Sequence, residues 1–247
     1  MELKDSIYPD EARLNVFYDT YCEIAMESFY DALIAFEYLE THGFKDDLIE
    51  YVTELEKNVI KTVVFSAMSI ESFFNNYAAA TLGDEIFYDN FDKLSTISKF
   101  QLISRFILKT EINKGEAYYS YIKKLFKYRD EFIHNKSVQL DLKKIYEESV
   151  FEEVENSDIN EIPSMTKGEI EGIKNDLTLG LDSLKAIREI ALYFDKNDTN
   201  IIALQKFFTP TLMLCGNEKA ILHRKKIFPL LNIYKTIEHY GNTIKLY

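Results

Sequence analysis

Tryptophan is absent from this chain of 247 residues, and cysteine, proline and glycine are scarce, with two, four and eight copies. Each scarcity excludes something. Cys22 and Cys215 stand far apart with no Cys-x-x-Cys and no Cys/His grouping, so neither a disulfide framework nor a zinc site is read. So few breakers predict long uninterrupted elements, helices more than strands. Glycine never clusters, which removes a glycine-rich phosphate loop and with it a nucleotide-binding sensor. No cofactor and no metal are expected. Basic residues are outnumbered, 29 Lys and Arg against 41 Asp and Glu, for a net charge of −12. A chain so acidic cannot coat nucleic acid generally, because counterion release needs a basic face. A local basic cleft remains open to it, since a field is set locally.

Long apolar runs are also missing. The most apolar window, Val63 to Ala80, carries Glu71, Asn75 and Asn76 and is too polar to span a bilayer. Met1-Glu2-Leu3-Lys4-Asp5 has no cationic segment followed by an apolar one, so no signal peptide is read. The expectation is a soluble cytoplasmic protein with no membrane partner. What the chain does have is apolar mass: 47% hydrophobic residues, with 18 Phe and 17 Tyr, enough for a substantial core.

The punctuation predicts an all-α fold. Pro9-Asp10-Glu11 opens a helix that runs to Leu39 and ends at Thr41-His42-Gly43, with Gly43 as the cap. A second runs from about Asp46 to Leu82, stopped by Gly83. Its apolar series is Ile60, Val64, Ala67, Phe74 and Ala78. Ser95 or Thr96 caps a third, ending near Thr110. A fourth extends from Glu116 to about His134. Residues 137–165 read as an insertion: a strand pair at Ser137 to Ile145, then Glu147 to Glu161, with seven acids and no base. Thr166-Lys167-Gly168-Glu169 has capping-box spacing and opens a fifth long helix to about Phe194. Shorter helices follow, interrupted by Pro210, Gly216 and Pro229. The expected architecture is an antiparallel helical bundle over residues 1–196, with an acidic loop insertion and a small helical C-terminal extension, 197–247.

The chemistry concentrates at the end of the fourth helix. Arg129 is followed five residues later by His134. A guanidinium holds and neutralises phosphate; an imidazole moves a proton near neutral pH. Together they can cleave a phosphodiester without a metal. Ile122, Leu125, Phe126 and Ile133 form an apolar stripe along which Arg129 points. On an ideal helix five residues turn through roughly 140°, so the pair converges only if the helix ends near Ile133 or the long Arg reaches across. Between Tyr121 and Lys136 the bases Lys123, Lys124, Lys127, Arg129 and Lys136 face only Asp130 and Glu131, a local charge of +3. Tyr121 and Tyr128, interleaved with them, could stack on unpaired bases. Glu71 falls within the apolar series of the second helix and needs a partner, for which Arg129 or His134 is the candidate. The plain alternatives are a structural salt bridge for Arg129, a helix-end residue for His134 and a solvated face for the lysines.

Phe65-Ser66-Ala67-Met68-Ser69-Ile70-Glu71-Ser72-Phe73-Phe74-Asn75, followed by Tyr128-Arg129-Asp130-Glu131-Phe132-Ile133-His134-Asn135, resembles the HEPN superfamily, whose mark is Arg, four to six residues, then His. The resemblance covers roughly residues 12 to 136. It implies a helical bundle that dimerises to bring two such motifs together, and a metal-independent endoribonuclease of a toxin or anti-phage defence type. A cognate antitoxin or defence-system protein is the implied partner. Carried over by position, Arg129 and His134 are the implied catalytic residues and Asp130 the supporting polar residue. Glu71 is added from its own placement. Lys123, Lys124, Lys127, Tyr128 and Lys136 are the candidate RNA contacts. Lys136 stands where one toxin subgroup has a modifiable Tyr, which argues against a partner adenylyltransferase. A non-catalytic helical interaction or immunity protein of the same fold is the competing expectation.

Overall fold

The computed structural model describes residues 16–45, 48–134, 165–208 and 218–233, with 218–221 as backbone only. The strand pair, the acidic run, Lys136, Cys215 and Pro9-Asp10-Glu11 lie outside them; Val16 and Phe17 are not helical, so the first helix starts at Tyr18 instead of continuing from Pro9. Among the described residues the fold is all-α, with no strand paired into a sheet. Eight helices follow in order: α1 Tyr18–His42, α2 Ile49–Leu82, α3 Asp84–Asn90, α4 Thr96–Leu102, α5 Ala117–Ile133, α6 Lys167–Asn197, α7 Ala203–Phe208 and α8 Glu218–Leu231. A π-helical turn, Ile103–Ile107, extends α4.

The punctuation acts as chemistry requires. Gly43 takes the left-handed conformation (φ 79°) and returns its N–H to Leu39 O, ending α1. The Ser95 hydroxyl accepts from the Ser98 N–H and opens α4. At α6 the capping box is complete: Thr166 accepts from Glu169 N–H, and the Glu169 carboxylate accepts from Thr166 N–H at 2.7 Å. Two features escape the sequence pattern. The helix α3 begins directly after Gly83, and the third predicted helix ends in the π turn rather than near Thr110. Pro229 does not break α8; it sits in the last turn.

Contacts fix the topology. Tyr38 stacks on Tyr51, Thr62 Oγ1 reaches Ala25 O, and Ser69 Oγ donates to Tyr18 O, so α1 and α2 run antiparallel. Across α5 and α6, Lys124 meets Asp182 and Tyr118 meets Tyr193, again antiparallel. Phe73 against Phe194 and Tyr77 against Asp198 make α2 and α6 parallel. Helices α1, α2, α5 and α6 therefore form an up-down-up-down bundle, with α2 and α6 as the parallel diagonal across its centre. The core continues into α7 and α8, where Phe207, Phe208, Ile227 and Leu231 are fully buried in the same cluster. Among the described residues no helix is long and apolar enough to cross a membrane.

The buried stripe of α2 differs from the expected one. Ala67, Phe74 and Ala78 are buried, but Ile60 is exposed and Val64 only half-buried. Val59, Val63, Ile70 and Phe73 take the interior positions. The stripe is rotated by one residue because α1 covers one flank of α2 and α6 the other, a two-sided burial that a single periodic series does not represent. Ile133 is also exposed, since the last turn of α5 overhangs its neighbours.

Two glycines of α6 test this packing with opposite signs. A Cβ at Gly180 would stand 2.9 Å from Phe29 Cδ2, in the fully buried core, whereas one at Gly172 meets nothing within 4 Å. Gly180→Ala is expected to destabilise by about 1–3 kcal/mol through overpacking. Gly172→Ala should stabilise by roughly 0.5–1 kcal/mol as helix entropy is recovered. Denaturant unfolding of both variants checks the register.

The fold also predicts a pH dependence. Asp195 accepts the first N–H groups of α7, from Ala203 and Leu204, yet burial still pushes its carboxyl above the ordinary value. Burial, then the nearby Glu56, raises Asp176. Groups raised on folding add stability that is complete below their unfolded values and is lost as pH rises through the folded ones. Self-repulsion of the −12 chain acts in the same direction. The melting temperature should fall as pH rises from the ordinary carboxylate range, about 4, toward neutrality; a constant or rising value over that interval would contradict this reading.

Candidate functional site

Helix α5 docks through Ile122, Leu125 and Phe126, all buried, against α2 and α6. Arg129 continues that face one turn later, where the covering ends. Its side chain is 27% exposed, and the guanidinium lies 5.1 Å from the Phe126 ring. Nη1 faces Glu71 Oε2 of α2 at 3.8 Å, and Nε lies 2.9 Å from Asp130 Oδ1. The latter contact is short but not aligned as a hydrogen bond, which leaves the Nε–H without a directed acceptor. Glu71 sits at the margin of the core stripe, flanked by the buried Ile70, and is itself part-exposed. Two carboxylates thus share one guanidinium at a partly open edge. For Arg129 to grip a phosphate, one of them must give way. The long, part-exposed contact to Glu71 is the weaker of the two.

His134 is the first residue beyond α5. Its N–H still closes on Asp130 O at 2.9 Å, but its backbone (φ −105°, ψ 43°) leaves the helical path, and the residue is exposed. The helix therefore ends where convergence of the pair requires. Within the chain no hydrogen bond or ion pair joins His134 to Arg129 among the described residues.

The basic residues separate into different states. Lys124 is committed to α6: its Nζ is 2.8 Å from Asp182 Oδ2, and that bond raises its pKa above the ordinary lysine value. Lys127 pairs loosely with Glu131 at 3.6 Å and lies 5.9 Å from the Tyr128 ring. Lys123 is exposed and makes no ion pair among the described residues. Tyr128 is partly buried against the core rather than presented as a flat platform. Among the described residues, the open part of the basic face thus comprises Lys123 and Lys127.

One neighbour was not visible in the pattern. Lys99 is buried, at 2% exposure, and donates to Asn75 Oδ1 at 2.8 Å. Asn75 lies one turn beyond Glu71 on α2, so this face of α2 meets a cation twice, from α4 and from α5. A lone Lys in a short helix gives no hint of burial, because its partner is a long-range contact. Comparison with family models, with curated proteins and with solved structures finds no match for this chain.

The Glu71–Arg129 contact has a measurable character. An ion pair this exposed is worth at most about 1 kcal/mol. A double-mutant cycle of Glu71→Gln and Arg129→Met should give a coupling energy below that value. A coupling of roughly 3 kcal/mol or more would mark a buried structural clamp.

Proposed function

We propose that this protein is a metal-independent endoribonuclease of the HEPN type, acting as a toxin or in anti-phage defence, with its site completed by a second copy of the chain. The observation that carries this reading is the end of α5: Arg129 at the open edge of the helix face, and exposed His134 released from the helix just beyond it. The local excess of lysine in a chain of net charge −12 gives an RNA backbone one place to approach.

In the proposed dimer, His134 of one copy accepts the proton of an RNA 2′-hydroxyl. The 2′-oxygen attacks phosphorus, and the bond to the 5′-oxygen breaks as His134 of the other copy returns a proton to it. Arg129 from each copy neutralises the phosphorane. Asp130 and Glu71 hold Arg129 extended until phosphate displaces Glu71. Lys123 and Lys127 contact the backbone. Lys124 would join only by leaving Asp182.

A second reading is a non-catalytic interaction or immunity protein. What favours it is that Arg129 already has two carboxylate neighbours. The two readings separate in one assay. Purified protein is incubated with structured RNA, comparing wild type with Arg129→Ala and His134→Ala. Loss of the proton-transfer group should reduce cleavage by roughly 10²–10⁴-fold, with helical content by circular dichroism unchanged. If His134→Ala cuts as well as wild type, the ribonuclease reading is wrong; a wild-type protein that cuts nothing leaves the interaction reading.

A further inference from the structure

Two carboxylates and a buried imidazole meet where α8 packs on α1. Glu23 and Glu27 lie one turn apart on α1, and His223 comes from α8. One ligand atom from each, two carboxylate oxygens and a ring nitrogen, lie within 4.8 Å of one another. Glu23 is 2% exposed and His223 1% exposed; Glu27, 36% exposed, forms the outer wall. The His223 Nδ1 stands 4.0 Å from Glu27 Oε1. The Tyr30 ring packs 4.4 Å from the imidazole, centroid to centroid, and fixes its plane.

A second layer holds Glu23 in place. Arg224 donates to both of its oxygens, Nη2 to Oε2 at 2.6 Å and Nη1 to Oε1 at 3.3 Å, while its Nε–H reaches Phe208 O. Each carboxylate oxygen has a second lone pair left for an ion. With a neutral imidazole the charges of Glu23, Glu27 and Arg224 sum to −1, so the group can take a divalent cation. One nitrogen and two oxygens suit the zinc end of the first transition series better than calcium or magnesium, which take oxygen ligands and more of them. Bond lengths of roughly 2.0–2.2 Å need these atoms to close by about 1 Å, a movement open to the part-exposed Glu27.

We infer that Glu23, Glu27 and His223 form a site for one divalent transition-metal ion of the zinc type, which clips α8 onto α1. Neither helix carries Arg129, Asp130, His134 or Glu71, so the site stands apart from the proposed RNA chemistry. The guanidinium beside Glu23 limits its affinity.

The test uses the full chain, stripped with chelator, dialysed and titrated with Zn²⁺ by calorimetry and with Co²⁺ by visible absorption. Saturable binding of one ion per chain is expected, with a higher melting temperature and an enhanced cobalt spectrum. Glu27→Gln and His223→Gln should each weaken binding at least tenfold. Glu27 is part-exposed, so its variant keeps the test valid if the His223 variant misfolds. No saturable binding, or binding that Glu27→Gln leaves unchanged, overturns the inference.

Discussion

The contact on which the rest depends is the packing of Phe73 and Phe74 against Phe194, across the parallel diagonal of the bundle. Phe73 meets Phe194 edge-on at 4.9 Å, and Phe74 lies 5.8 Å from the same ring. From there the aromatics continue outward. Phe74 stacks on Phe100 of α4 at 5.4 Å, Phe100 meets Tyr193, and Tyr193 meets Tyr118 of α5. Phe73 also touches Phe207 of α7 at 4.8 Å. Tyr18 of α1 meets Phe73 at 5.6 Å, so one aromatic network ties α2 to α1, α4, α5, α6 and α7. Each such pair adds roughly 0.5–1.5 kcal/mol beyond area burial. It also sets the rotation of α2, and with it the position of Glu71 at the margin of the core.

The candidate site follows from where that burial stops. Helix α5 is covered through Phe126 and uncovered by Ile133, so Arg129 sits at the boundary. Farther inside, a guanidinium would need a closed ion pair; farther out, it would be an ordinary surface charge. At the boundary it keeps two carboxylate neighbours and an exposed edge. The same logic separates the lysines. Lys124 points toward α6 and is taken by Asp182, while Lys123 stays exposed.

Signals confined to one turn were legible in the sequence. Gly43, Ser95 and the Thr166/Glu169 box each act through bonds to near neighbours, and the structure places them where the pattern did. Of the two partners expected for Glu71, Arg129 and His134, it is Arg129 that faces it, although Glu71 lies at the margin of the core stripe and not within it. Long-range events were not legible. The one-residue rotation of the α2 stripe depends on two helices covering it from different sides. The burial of Lys99 depends on Asn75, and His223 reaches Glu23 and Glu27 only through the path of α8 around the bundle. The helix α3 was hidden because Gly83 both ends α2 and precedes it.

In the proposed ribonuclease a guanidinium and an imidazole, rather than a metal-bound water, would cut the RNA chain. The chemistry of the cut ends tests this most directly. Analysis of the fragments from end-labelled RNA, treated with wild-type protein in the presence of chelator, should find 2′,3′-cyclic phosphate and 5′-hydroxyl termini. Fragments ending in 3′-hydroxyl and 5′-phosphate would contradict it.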